Sequence, residues 1–188
     1  MKDVKIARVP RTSLVSFWTV PEAYTKTDLR SASLVGADDK TLFQDKFGAD
    51  YKWNSEGTKI LMSHTDDDDK SKIRLAVINN RGGEYKNLEI PTFVTKCAWS
   101  SDNQTVYYAL PGSIPDNSVM PNDYVSKKFT TADTFWKVDT MTGTKTRIVE
   151  LNKIQSKFDA TDLFLNSEES SLFFTNRIDG KLYKIDLS

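Results

Sequence analysis

Four consecutive aspartates, Asp66–Asp69, are the residues best placed to do chemistry, because they follow the only histidine of the chain, His64. Carboxylates beside an imidazole can form an acid/base pair or hold a cation, and Ca²⁺ prefers six or more oxygen ligands. Alternate members of the run, such as Asp66 and Asp68, could converge on such an ion. The run does not match the calcium-loop pattern, however, and runs of like charge commonly form solvated turns. We therefore expect no cofactor, with calcium at Asp66 and Asp68 as the weaker alternative.

The chain holds few other side chains that enzymes use. A single histidine cannot build the several-histidine metal centres of some hydrolases and lyases. Cys97 is the only cysteine, so neither an internal disulfide nor a cysteine-rich zinc site is possible. No G-x-S-x-G nucleophile elbow occurs. Since a lone histidine at a strand end is more often structural than catalytic, we expect no enzyme within these residues.

The overall charge and hydropathy restrict the classes of partner. Lysine plus arginine and aspartate plus glutamate both number 26, so the chain has no general attraction for nucleic acid or for an anionic membrane surface. No run approaches the roughly 18 apolar residues of a membrane helix, and the N-terminal stretch lacks the features of a signal peptide. We therefore expect a protein or peptide partner, no nucleic acid, and membrane attachment only through a segment absent from this chain.

A repeated pattern of short strands must position these residues. Three segments align without gaps: WNSEGTKILM from Trp53, WSSDNQTVYY from Trp99 and LNSEESSLFF from Leu165. A second hairpin follows each of them: LAVINNRGGEYKNLEI from Leu75, WKVDTMTGTKTRIVEL from Trp136 and YKIDLS from Tyr183. The resulting unit of four antiparallel strands, about 45 residues long, is typical of a β-propeller blade. A β-sandwich is the structural alternative.

The repeats predict an all-β chain of about three and a half blades. It would form a single propeller segment with units of about 1–47, 48–91, 92–151 and 152–188. Val4–Pro10 has the pattern of the outer strand of a preceding blade, and Leu14–Trp18 would begin the next one. Val4–Val9 could instead close the last blade and complete a four-bladed ring. We favour a part of a larger propeller, whose open strand edges would be covered by missing N-terminal blades or by a homodimer.

At these repeats the sequence resembles the TolB-like and WD-repeat-like bacterial propellers. Their blades carry W-S-P-D-G-x-x-L-x-F/Y followed by L-W-x-V/I-D-x-x-T-G, which WSSDNQTVYY, FWKVDTMTGTKT and LYKIDL match here. The greatest resemblance is to uncharacterised, often membrane-anchored propeller proteins of candidate-phyla bacteria. The proline and glycine of the family turn are Ser101 and Asn103 in this sequence. The resemblance implies the fold and an extracytoplasmic or membrane-anchored location, but it implies no reaction.

The connection between Leu110 and Asp133 is long, and long loops in compact domains are usually functional or disordered. We call it the insert, 110–133. Three of its side chains could anchor a partner and two more would flank the contact: Met120, Tyr124, Phe129, Lys127 and Lys128. Alternatively, these side chains pack the loop onto its own blade. Deleting 113–131 is expected to leave the fold intact.

The insert and the acidic run both join the second and third strands of their blades, and such connections emerge on one face of a propeller. The predicted partner-binding rim therefore consists of Asp66, Asp67, Asp68, Asp69, Met120, Tyr124, Lys127, Lys128 and Phe129. We predict a non-catalytic propeller segment that acts as a protein- or peptide-binding scaffold through loops on this face. The alternatives are the propeller part of a larger, peptidase-like enzyme with catalytic residues outside this chain, and a calcium- or carbohydrate-binding surface domain.

Overall fold

The strands of the chain form four consecutive antiparallel sheets in a computed structural model that describes residues 3–187. Sheet 1 contains β1 (Val4–Arg8), β2 (Leu14–Thr19), β3 (Lys26–Ser33) and β4 (Lys40–Phe47). Sheet 2 contains β5 (Asp50–Trp53), β6 (Lys59–Thr65), β7 (Ile73–Asn79) and β8 (Lys86–Asn87). Sheet 3 contains β9 (Cys97–Trp99), β10 (Thr105–Leu110), β11 (Thr134–Asp139) and β12 (Lys145–Arg147). Sheet 4 contains β13 (Ala160–Leu165), β14 (Ser171–Asn176) and β15 (Leu182–Asp186).

Helical structure is limited to short pieces in the connections. The α-helix α1 (Asn122–Val125) lies in the insert, and two 3₁₀ turns span Val94–Lys96 and Leu151–Lys153. The strands of each sheet pair in chain order, which is the arrangement of a propeller blade and confirms the all-β prediction. Met1, Lys2 and Ser188, at the ends of the first and last predicted units, lie outside the described residues.

The first sheet corrects the prediction for the N-terminal strand. β1 pairs with β2 along its whole length, from Val4 opposite Thr19 to Arg8 opposite Val15. It is therefore the first strand of its own complete blade. The two predictions that Val4–Pro10 belongs to a preceding blade, or that it closes the last blade, were both wrong. The cause is a tight turn at which the Val9 amide donates to Leu14 O over 3.0 Å, which pairs β1 with the strand that follows it.

The hairpin turns form although all three lack the proline of the family pattern and only that of sheet 2 keeps the glycine, Gly57. In sheet 2, Asn54 Oδ1 accepts hydrogen bonds from the amides of Thr58 and Lys59 at 2.9 and 3.0 Å. Such side-chain to backbone bonds initiate a turn locally. Asn103 and Glu169 occupy the left-handed position of the next two turns with φ of 55° and 52°. Asparagine tolerates this conformation well, so replacement of glycine leaves the hairpin of sheet 3 intact.

Three apolar cores lie between successive sheets and hold the blades together. Ile60 and Met62 face sheet 1, whereas Leu61 on the same strand faces sheet 3, as the alternation of a strand requires. The repeated tryptophans tie blades 2 and 3 each to the blade that precedes it. The Nε1–H of Trp53 donates to Ser16 Oγ at 2.9 Å, and that of Trp99 donates to Lys52 O at 3.3 Å. The four blades are therefore stacked side by side as one packed unit.

Candidate functional site

The insert and the acidic run lie against each other on one face, as predicted. The insert joins β10 to β11, and the acidic run joins β6 to β7, which are equivalent connections of neighbouring blades. The amide of Met120 donates to the carbonyl oxygen of Lys70 at 2.8 Å, which joins the two connections directly. Gly112 and Ala132 exchange backbone hydrogen bonds of 3.1 and 3.0 Å at the base of the insert, so its stem continues the hairpin.

The insert also reaches the first and the last blade. Asn122 in α1 accepts from the amide of Ala23 at 2.9 Å and donates to Glu22 Oε1 at 2.8 Å, both in the β2–β3 connection of sheet 1. The hydrogen bond from Asn122 lowers the pKa of the Glu22 carboxyl. On the other side, Arg177 Nη2 of the β14–β15 turn donates to Tyr124 O at 3.0 Å. The insert is therefore a clamp that is bonded to all four blades.

Two of the three predicted anchors of the insert are buried. Met120 is 0% exposed and Tyr124 is 4% exposed. The Tyr124 ring stacks on Phe93 with centroids 4.4 Å apart, and the guanidinium of Arg177 lies 3.9 Å from the Tyr124 ring centroid. Phe129 is half-buried against the same cluster. These side chains pack the insert onto neighbouring blades, so the prediction that Met120 and Tyr124 are available to a partner was wrong.

A buried charge network lies beneath Tyr124. The ammonium of Lys96, whose side chain is 0% exposed, donates to Asp133 Oδ2 at 2.6 Å and to Asp159 Oδ1 at 2.8 Å. Thr131 Oγ1 and Ala160 O accept from it at 3.1 and 2.8 Å. The Tyr124 hydroxyl donates to Asp159 Oδ1 at 2.6 Å. The network therefore joins the insert to both blade 3 and blade 4.

The two carboxylates of this network differ in how strongly their charge is compensated. Burial raises the pKa of Asp133 above its usual value, although Lys96 opposes this change. Burial also raises the pKa of Asp159, but the attraction of Lys96 and hydrogen bonds outweigh it, so the net pKa lies below the usual value. Each carboxylate has one buried oxygen without a hydrogen-bond partner, Asp133 Oδ1 and Asp159 Oδ2, but Asp159 also has the Tyr124 hydroxyl as a donor and Arg177 Nη1 at 3.5 Å from Oδ2. The anion at Asp159 thus depends directly on the insert.

The acidic run does not converge on a common centre. Asp66 pairs with Arg74, and Asp69 pairs with Lys72 at 2.9 Å. Hydrogen bonds from Ser71 and Lys72 lower the pKa of Asp69 to about 2. Within residues 3–187 no group of three or more His, Cys, Asp or Glu side chains could hold a metal ion. Calcium ligation by Asp66 and Asp68 would have to break the ion pair of Asp66.

His64 is part of the packing between strands. It is 3% exposed, with Nδ1 at 2.9 Å from Thr65 O and Nε2 at 2.9 Å from Tyr85 Oη. Because a carbonyl oxygen only accepts, we assign the proton to Nδ1, and Nε2 then accepts from the Tyr85 hydroxyl. Burial lowers the pKa of the imidazole below 6.5. His64 is thus a neutral, structural residue with both nitrogens bonded.

The depressed pKa of His64 predicts a pH-dependent stability. The unfolded chain takes up the proton near the ordinary pKa of 6.5, whereas the folded chain takes it up only at lower pH. The free energy of unfolding should therefore fall as pH decreases from about 7.5 to about 5.5. Urea denaturation at both pH values checks this, with His64→Gln as the control. An identical change with pH in the variant would contradict the assignment.

A hollow of about 480 Å³ lies at the end of the strands opposite the insert. Trp53, Trp99 and Leu165 contribute apolar surface to it. Its charged members are already bonded to the protein. Lys52 Nζ donates to Leu163 O at 3.3 Å, and Glu169 Oε2 accepts from Ser100 Oγ at 2.7 Å. The hollow thus offers aromatic surface without a cluster of titratable groups.

Comparison with known proteins shows which folds this chain resembles. The sequence matches no protein-family model and no curated protein. The fold is similar to that of a putative TolB from Agrobacterium tumefaciens, with TM-score 0.68, 11% identity, and coverage of 98% of this chain and 58% of that one. TolB from Acinetobacter baumannii gives 0.60 and 13% identity, with coverage of 94% and 39%. The β-propeller domain of the Trilobed protease from Pyrococcus furiosus gives 0.60 and 14% identity, with coverage of 97% and 53%.

These similarities establish the architecture. The chain spans between 39% and 58% of the length of the three matched structures, so it corresponds to part of each of them. No helix among residues 3–187 is long and apolar enough to cross a membrane. At identities of 11% to 14% the likeness concerns the fold. The chain is a β-propeller segment with a TolB-like fold.

Proposed function

We propose that this chain is a non-catalytic propeller scaffold that binds a protein or peptide through the face covered by the insert. The observation that supports the proposal is the bonding of the insert to all four blades, through Asn122, Met120, Tyr124 and its own stem. The face is therefore one fixed surface. A preorganised surface loses less conformational entropy on binding than mobile loops do.

The exposed residues of this face define the surface that a partner would contact. Of the predicted rim, Asp67, Asp68, Lys127 and Lys128 are exposed. Two apolar side chains that the sequence reading missed, Tyr24 and Val125, are 66% and 63% exposed. Tyr24 follows Ala23 in the chain, and Val125 ends the short helix that begins at Asn122, the hydrogen-bond partner of Ala23. Apolar contacts flanked by charges of both signs are typical of protein interfaces, so Tyr24 and Val125 replace Met120 and Tyr124 as the proposed anchors.

Selection of a random peptide library on the immobilised chain tests this proposal. Enriched peptides are measured by fluorescence anisotropy against the wild type, a Tyr24→Ala/Val125→Ser variant, and a Lys40→Glu/Lys145→Glu control altered on the opposite face. We expect the first variant to weaken binding roughly tenfold or more and the control to bind like the wild type. Peptides that bind both variants equally would contradict the proposed face. Failure to enrich any peptide would contradict the binding function.

A second candidate is the propeller part of a larger enzyme. It is favoured by the similarity to the propeller domain of a protease, 53% of which this chain covers. In this case the catalytic residues would lie outside the chain, and the face would admit or exclude substrate peptides. Reading the coding sequence that adjoins these residues separates the candidates, since a hydrolase domain there would favour the enzyme. The proposed extracytoplasmic or membrane-anchored location rests on the resemblance to TolB-like propellers and would be examined in the same sequence.

A further inference from the structure

The first two strands of sheet 1 present apolar side chains on its outer face, where the third strand adds Arg30, whose guanidinium lies 5.7 Å from the Phe17 ring centroid. Three cross-strand pairs occupy the same register position in sheets 1, 2 and 3: Ile6–Phe17, Tyr51–Met62 and Cys97–Tyr108. In the internal sheets this position faces the preceding blade and is buried. Tyr51 and Cys97 are 5% and 0% exposed, whereas Ile6 is 70% exposed. Sheet 1 thus presents a face suited to a preceding blade.

The outer face of sheet 4 shows the complementary pattern. One register position in the third strand of sheets 2, 3 and 4 is occupied by Leu75, Phe135 and Leu182. These residues pair with Ser63, Ala109 and Thr175 of the second strand, respectively. Leu75 and Phe135 are 0% and 2% exposed, whereas Leu182 is 61% exposed. On the same outer face Phe164, which is 49% exposed, stacks on Phe173 with centroids 5.1 Å apart. Sheet 4 thus presents a face suited to a following blade.

We propose that a second copy of this chain joins the two faces, with sheet 4 of each copy packed on sheet 1 of the other. A two-fold axis along the centre of the ring relates two identical contacts, and together they bury the outer faces of sheets 1 and 4 of both copies. The size is appropriate, because one chain covers 53% of the propeller domain of the Trilobed protease, so two copies equal about one such domain. Exposed apolar side chains at positions that are buried in the internal sheets indicate an interaction site.

The internal interface between sheets 2 and 3 shows which residues should meet. Lys52 in sheet 2 occupies the register position that Phe164 occupies in sheet 4. Cys97 in sheet 3 occupies the register position that Ile6 occupies in sheet 1. Lys52 Nζ donates to the carbonyl oxygen of Cys97 across this interface. In the dimer, Phe164 of one copy should therefore lie close to Ile6 of the other. This juxtaposition distinguishes the proposed contact from one between two identical faces.

Disulfide trapping tests the contact in the whole chain. Chains carrying Ile6→Cys and Phe164→Cys are mixed and mildly oxidised, and the native Cys97 does not interfere because it is 0% exposed. We expect a cross-linked heterodimer in the mixture and little cross-linking of either variant alone. Cross-linking of Phe164→Cys with itself would overturn the proposal, since it would show that two sheet 4 faces meet. Absence of the mixed cross-link would overturn it as well.

Sedimentation equilibrium supplies an independent measurement. We expect the wild-type chain to be dimeric at about 10 µM and Leu182→Lys to weaken association roughly tenfold or more. Met141→Lys is the matched control, because Met141 is 62% exposed in the β11–β12 turn of the internal sheet 3. A chain that stays monomeric at about 100 µM, or a Leu182→Lys variant that associates like the wild type, would overturn the proposal.

Discussion

Replacing Lys96 with methionine should cost about 3–5 kcal/mol of the free energy of unfolding, because it leaves two buried carboxylates next to each other without their shared cation. This is a large part of the ~5–15 kcal/mol that stabilises a typical domain. Urea denaturation of the wild type and of Lys96→Met measures the difference. The matched control is Lys145→Met at an exposed position, which should change stability by no more than about 0.5 kcal/mol.

A triple variant tests whether uncompensated charge causes the loss of stability. Adding Asp133→Asn and Asp159→Asn to Lys96→Met removes the uncompensated charges and should restore part of the lost stability. A loss below about 1 kcal/mol for Lys96→Met alone would show that the network contributes little. Equal stability of the single and triple variants would show that the loss comes from packing and not from charge.

Replacing Tyr124 with alanine should cost about 3–5 kcal/mol, because it removes a buried ring from between Phe93 and Arg177 and also removes the donor to Asp159. Tyr124→Phe keeps the ring and should cost only about 1–2 kcal/mol for the lost hydrogen bond. The exposed Tyr24 is the control, and Tyr24→Ala should change stability by no more than about 0.5 kcal/mol. Urea denaturation of the three variants gives these values. Similar losses for Tyr124→Ala and Tyr24→Ala would contradict the clamp.

The burial of these side chains also corrects the expectation that deletion of 113–131 leaves the fold intact. The deletion would remove Met120 and Tyr124 from an apolar cluster that includes Ile73 and Phe93. It would also remove Thr131 from Lys96. Binding lost after such a deletion could not be separated from loss of structure. Point substitutions at exposed positions, such as Tyr24 and Val125, are therefore the appropriate tests of the binding face.

The blades could be predicted from the sequence because their signals are local. A turn such as that after Trp53 depends on side chains within five residues, since Asn54 bonds the amides of Thr58 and Lys59. The strands on both sides then follow from the alternation of apolar residues. The position of the insert relative to the acidic run followed from the repeat alone. It did not require any knowledge of the contacts between them.

The errors arose where the outcome depends on distant residues. The alternation in VKIAR predicts a strand but does not say which strand pairs with β1. A methionine and a tyrosine, such as Met120 and Tyr124, can be exposed anchors or core residues. They are buried here because blades 2 and 4 pack against them. Lys96 was overlooked because its partners lie 37 and 63 positions away in the sequence. A lysine next to the apolar run of an inner strand was the available signal.

The central claim is that the insert is a fixed clamp across four blades, and hydrogen exchange measures this most directly. Amides of the insert with backbone partners, including those of Met120 and Ala132, should exchange about as slowly as those of β10 and β11. In Tyr124→Ala the same amides should exchange much faster, while Tyr24→Ala should leave them unchanged. Insert amides that exchange in the wild type as fast as those of an unstructured peptide, while the blade strands remain protected, would contradict the claim.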